Sequence, residues 1–135
     1  MYLSYADNGR IHHYFTGPDF IWEAQPKDPT LLVLEVPDGE QPLLTDKYIV
    51  DGQLVTRPTQ ATTVDKTTLV ADGVDMITVS NAPMGTFTAT HVKTDDKVSG
   101  DINATDTFST TIPGTYKIKI ESFPYLDFET TIEAT

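Results

Sequence analysis

Short runs of alternating apolar and polar residues, each closed by a turn dipeptide, recur along the whole chain. The clearest spans residues 115–121. At a period of two, Tyr116, Ile118 and Ile120 fall on one face and Lys117, Lys119 and Glu121 on the other, an arrangement only a strand produces. Residues 2–6 and 11–15 flank Asp7-Asn8-Gly9-Arg10 and predict a hairpin. Its Asn-Gly pair points to a two-residue type I′ turn, because both central residues of that turn need positive φ. Residues 31–36, Leu-Leu-Val-Leu-Glu-Val, are the most apolar run and predict a buried strand, since they are too few for a helix. Pro37-Asp38-Gly39 turns that strand, and residues 40–46 read as a connection. Residues 48–50 and 53–56 around Asp51-Gly52 predict a second hairpin, stopped by Arg57-Pro58. Between the first hairpin and the apolar run, Pro26 and Pro29 break residues 19–30 into loop or one short helical turn. Phe20, Ile21 and Trp22 are expected to plug a small core there.

The pattern changes after Pro58. Residues 59–65 are polar and threonine-rich and read as a linker or a first edge strand. Strands are then expected at 66–70, 76–80, 86–92, 97–100, 105–111, 115–121 and 128–133, with turns at Asp72-Gly73, Asn81-Ala82-Pro83 and Pro113-Gly114. About seven short strands at regular spacing are the signature of an antiparallel β-sandwich. Parallel pairing is not expected, because the connections are too short for crossovers. The predicted fold is therefore all-β: a β-hairpin module over residues 1–58, a linker or edge strand over 59–65, and an immunoglobulin-like β-sandwich over 66–135. The first module offers little area for independent stability and is expected to lean on a partner or on the second domain.

Composition narrows the chemistry. Threonine, valine, isoleucine and aromatic residues favour strands. There is no cysteine, which excludes disulfides, thiolate metal sites, a cysteine nucleophile and the immunoglobulin Cys-Trp-Cys pin. The net charge of −11 is spread over both parts, with nine acids and four bases in residues 1–58 and eleven and five in 59–135. Such a surface repels nucleic acid and favours a self-repelling, soluble chain. The first ten residues carry no basic region followed by an apolar core, so no signal peptide is expected. No apolar stretch is long enough to predict a membrane span.

Each candidate site competes with a plainer role. His12 and His13 are adjacent on a strand and point to opposite faces, so they cannot chelate one metal together. Residues 101–106, Asp-Ile-Asn-Ala-Thr-Asp, resemble the start of an EF-hand loop, but Asp106 stands where glycine is needed and Ile112 where the bidentate glutamate is needed. Looser calcium sites at Asp95, Asp96 and Asp101, or at Asp65, Asp72 and Asp75, compete with solvated turn acids. No phosphate loop or nucleophile elbow is present, and no carboxylate pair is set for hydrolysis. No catalytic residue, metal site or cofactor is expected. Phe123, Tyr125 and Phe128 form a C-terminal aromatic cluster, either core packing or an exposed patch for a partner.

The N-terminal stretch "YADNGRIHHYFTGP…LEVPDG…YIVDGQLVTRP" resembles a small module found at the start of accessory proteins of tailed bacteriophages, through Asn8, Gly9, Pro37, Asp38, Gly39, Tyr48, Val50, Asp51, Gly52, Leu54, Arg57 and Pro58. Residues 68–135, with "ADGVDMITVSNAP" and "IPGTYKIKIESFPYLDFETTIEA", are similar to the immunoglobulin-like domains that decorate phage heads and tails. The resemblance implies a non-enzymatic virion component, made in the bacterial cytoplasm and built into the particle there, tail-associated as a collar, adaptor or fibre-attachment piece. Its partners would be other phage structural proteins and further copies of itself, with no nucleic acid and no membrane. Docking would fall to Tyr2, Leu3, Tyr5, His13, Phe15, Trp22, Tyr48 and Arg57, by adding the first strand to a partner's sheet or by inserting Trp22. The alternatives are a capsid decoration protein of the same build, or a host-glycan-binding sandwich using Tyr125, Phe123 or Trp22.

Overall fold

The computed structural model describes residues 1–37 and 46–135. The turn expected at Asp38-Gly39 and the connection over residues 40–45 lie outside the described residues. Among the described residues the fold is all-β apart from one six-residue helix, and the chain divides into two compact units, Met1–Arg57 and Pro58–Thr135. Among the described residues, no helix is long and apolar enough to cross a membrane.

The first unit contains β1 (Tyr2–Tyr5), β2 (Ile11–Phe15), α1 (Asp19–Ala24), β3 (Leu32–Glu35) and the hairpin β4 (Lys47–Val50) and β5 (Gln53–Thr56). β1 lies between β2 and β3, antiparallel to both. Both of its edges are thus already paired, so it cannot add itself to a partner's sheet as the sequence suggested. One face of this sheet packs with the hairpin in a core of Met1, Leu3, Ile11, Val36 and Ile49, fringed by Tyr5, Leu34 and Leu54. The Ile49 N–H donates to the Gly9 carbonyl oxygen at 2.9 Å, tying the hairpin to the β1–β2 turn.

Three local features depart from the sequence pattern. The first turn is not type I′: Gly9 has φ 89°, but Asn8 is not in the left-handed region. Gly9 N–H donates to Ala6 and Ala6 N–H donates to the Arg10 carbonyl, so Asp7 and Asn8 form the turn and Gly9 follows as the bulge residue. The apolar run at 31–36 supplies an edge strand, not a buried one: Leu32 is 53% and Val33 46% exposed, and Val36 alone among these residues joins the core. Helix α1 buries no residue, and Phe20 is 70% exposed, so Phe20, Ile21 and Trp22 do not plug that core. The second turn matches its pattern, with Asp51 and Gly52 both at positive φ.

The second unit contains β6 (Thr63–Val64), β7 (Thr68–Leu69), β8 (Ile77–His91), β9 (Lys97–Phe108), β10 (Gly114–Glu121) and β11 (Phe128–Ala134). They form one six-stranded sheet ordered β6-β8-β10-β11-β7, with β9 along the other side of β8. The expected turn at Asn81-Ala82-Pro83 is instead an irregularity inside one fifteen-residue strand. Register slips on both sides of Ala82, and Asn81 and Ala104 take positive φ. A bulge accommodates Pro83, which has no N–H to give the ladder, without ending the strand. The expected strands at 97–100 and 105–111 likewise merge into β9. The expected strand at 66–70 shortens to β7, which pairs parallel with β11. The two are far apart in sequence, so a short connection does not forbid the parallel pair.

The β8–β9 ribbon curls over. Val98 and Phe108 line one cleft together with Ala89 and Tyr116. In a straight strand ten residues would separate them by roughly 33 Å. Curling lets a single sheet enclose a core of Leu69, Ile77, Val79, Phe87, Ile102, Ile118, Ile120 and Ile132. Within β10 the predicted alternation holds, with Tyr116, Ile118 and Ile120 buried. Residues 59–65 are no simple linker: Gln60 and Thr62 are buried, and β6 pairs with β8.

Candidate functional site

The first unit gathers four of the eight predicted docking residues, Tyr2, His13, Phe15 and Trp22, on the sheet face opposite its core. Tyr2 and Phe15 are cross-strand partners, so their side chains share that face. Pro18 and Pro26 bracket α1, which lays Trp22 over them. The indole stacks on Tyr2 with ring centroids 4.8 Å apart and planes 6° from parallel, and meets Phe15 at 5.8 Å. The Lys27 ammonium lies over the indole, 4.9 Å from its centroid. The Tyr2 hydroxyl donates to Asp19 Oδ1 at 2.9 Å. That hydrogen bond, reinforced by partial burial and the Asp19 charge, pushes the phenol up to about 12.

Beside the stack a cleft of about 330 Å³ is lined by Ser4, His13, Phe15, Trp22, Lys27 and Leu31, with others. At its rim the Asp28 carboxylate accepts from the Thr30 hydroxyl and N–H, which hold it below the ordinary carboxylate range. His12 and His13 are exposed, their rings 6.3 Å apart.

The remaining predicted residues separate. Leu3 is fully buried in the core and offers nothing to a partner. Tyr5 packs at the edge of that core. Tyr48 and Arg57 are half-buried on or after the second hairpin, where the Arg57 N–H donates to the Asp46 carbonyl. Tyr14, Phe20, Leu32 and Val33 are exposed apolar surface, although the pattern placed Phe20 in a core and Leu32 and Val33 in a buried strand. Tyr14 pairs across the strands with buried Leu3, and a register slip breaks the alternation along β2, so strand periodicity gave no signal for its exposure. For Leu32 and Val33 there was none, because an apolar edge strand and an apolar central strand read alike.

In the second unit the aromatic cluster is not an open patch. Phe123, Tyr125 and Phe128 are half-buried, and Phe128 packs against the core. Of the acids considered for calcium, Asp65, Asp72 and Asp75 are engaged locally. Asp72 Oδ1 accepts from the Val74 and Asp75 N–H groups, Asp65 accepts from Thr78 N–H, and Asp75 accepts from Lys66 and from Val70 N–H. No group of three or more metal-ligating side chains gathers among the described residues.

The buried His91 closes one end of the core. Its Nε2 lies 3.1 Å from the Pro113 carbonyl and must donate there, which leaves Nδ1 to accept the Thr94 N–H. With both nitrogens used, the neutral ring is a packing and bridging element, edge-on to Tyr116 at 5.0 Å. No family model matches the sequence, and neither a curated protein nor a solved structure matches it.

Proposed function

We propose that the chain is a non-enzymatic structural component of a tailed-phage virion, most simply a tail-associated collar, adaptor or fibre-attachment piece. It would be assembled in the bacterial host cytoplasm, with Met1–Arg57 docking on other phage structural proteins and Pro58–Thr135 exposed as an acidic immunoglobulin-like domain. The observation that supports the docking half is the apolar surface of the first unit. Among its described residues, Tyr14, Phe20, Leu32 and Val33 are exposed beside a core of five buried apolar residues. Exposed aromatic and branched side chains on a small sheet are the kind of surface a partner covers.

Docking by strand addition would use β2 or β3, the outer strands of the first sheet, because β1 is paired on both sides. The glycan-binding alternative loses its best platform: Tyr2 and Lys27 already engage the Trp22 indole. Labelling purified particles with antibody against the full chain, viewed in negative stain, tests the reading. Label at the tail is expected, and label on the head would make this a decoration protein. Absence of the chain from purified particles would overturn the virion assignment.

A further inference from the structure

We propose that residues 97–101 of β9 form a self-association edge, on which a second copy of the chain pairs its own β9 antiparallel about a two-fold axis through Ser99. This inference rests on the second unit's sheet and stands whether or not the virion reading does.

Among the described residues β9 pairs only with β8, so its outer edge presents unpaired backbone groups. Residues 97–101 are all exposed. They form the regular part of the edge, ahead of Ala104 with its φ of 69°. An unpaired edge of this kind is a template for another strand unless bulges, proline or repelling charges blunt it. Here the two charges are opposite in sign and sit symmetrically about Ser99. The side chains of Lys97 and Asp101 have no hydrogen-bond or ion-pair partner among the described residues.

A two-fold pairing centred on Ser99 places Lys97 opposite the partner's Asp101, and Asp101 opposite the partner's Lys97, on the solvent face. On the other face Val98, 69% exposed, lies opposite the partner's Gly100. A Cβ at Gly100 would meet nothing within 4 Å, so there is room for the valine. A slip of one residue sets Lys97 against Gly100 or Ile102 and loses both ion pairs. Charge and shape therefore select the same register, and an isologous contact of this type closes as a dimer.

The test is sedimentation of the full chain over a concentration series at 0.15 M salt, where a Debye length of about 8 Å screens the net charge but not touching pairs. A concentration-dependent dimer is expected. K97D and D101K should each raise its dissociation constant by roughly tenfold or more, since each turns two attractive pairs into repulsive ones. The double variant K97D/D101K restores complementarity and should return to within about threefold of the parent. Circular dichroism checks that each variant is folded. Because the chain has no cysteine, Ser99→Cys supplies a second readout. Opposed residues of an antiparallel pair are within disulfide reach, so mild oxidation should yield a covalent dimer, and adding K97D should suppress it. A chain that stays monomeric to concentrations on the order of 100 µM, a dimer indifferent to the single swaps, a double variant that fails to recover, or a Ser99→Cys chain that does not cross-link would overturn the proposal.

Discussion

Gly114 lies directly against the imidazole of His91: a Cβ on Gly114 would overlap His91 Nε2, and its φ of 141° is one that side-chain-bearing residues rarely adopt. Gly114→Ala therefore forces the ring away from the Pro113 carbonyl and strains the start of β10. A loss of about 2–4 kcal/mol is expected from the strain and the displaced packing, read as a lowered denaturant midpoint. An unchanged midpoint would show that His91 is not held where it lies.

Gln60 and Ile120 form a second such pair. The buried Gln60 Nε2 donates to the Ile120 and Leu126 carbonyls, both at 2.9 Å, and Thr62 Oγ1 donates to its Oε1 at 2.7 Å. Gln60→Leu keeps much of the volume but strands two carbonyls and a hydroxyl. Roughly 2–4 kcal/mol should be lost, by chemical denaturation of the full chain. Parent-like stability would mean that residues 59–62 are only a tether.

Two turn glycines of the first unit should respond unequally to alanine. Gly9 and Gly52 both have positive φ, but a Cβ on Gly9 would strike the Ile49 carbonyl, while one on Gly52 meets nothing within 4 Å. Gly52→Ala should cost about 1 kcal/mol, from backbone strain alone. Gly9→Ala should cost at least twice that, because it also separates the hairpin from the sheet. Trp22 is the only tryptophan, so its emission during unfolding reports on this unit; equal effects at the two positions would contradict the geometry.

Acid should weaken the second unit through Asp72 and Asp75. Backbone N–H groups hold the Asp72 carboxyl below its ordinary value of 3.8; the hydrogen bond from Lys66, then that from Val70, does the same for Asp75. Carboxyls lowered in the folded chain stabilise it while ionised above pH 3.8, and the contribution fades as the pH falls through their folded values. Asp75→Asn should be less stable than the parent at pH 7, and the gap should close by about pH 2–3. A gap that is constant with pH would remove Asp75 from the acid response.

Much of the fold was legible residue by residue. Alternation marked β10, paired turn residues marked the second hairpin, and the absence of cysteine ruled out whole chemistries. The candidate docking stack was partly legible: the resemblance points to Tyr2, Phe15 and Trp22, but equally to Leu3, which faces the other way. Neighbours on a strand point to opposite sides, and which side is core depends on what packs there. Proline and asparagine at 81–83 looked like a turn because their local preferences are those of a turn. The long β8–β9 ladder absorbs them as a bulge instead.

By itself the sequence determined an all-β chain in two parts with no sulfur chemistry and a surplus of negative charge, because strand periodicity, turn residues and charge are local properties. Only the tertiary structure decided that β8 and β9 run unbroken and curl into one sheet, that β1 is central and β3 an edge, and which apolar residues stay uncovered. Those outcomes depend on pairing between residues distant in sequence, where burial and register outweigh the preferences of any single segment.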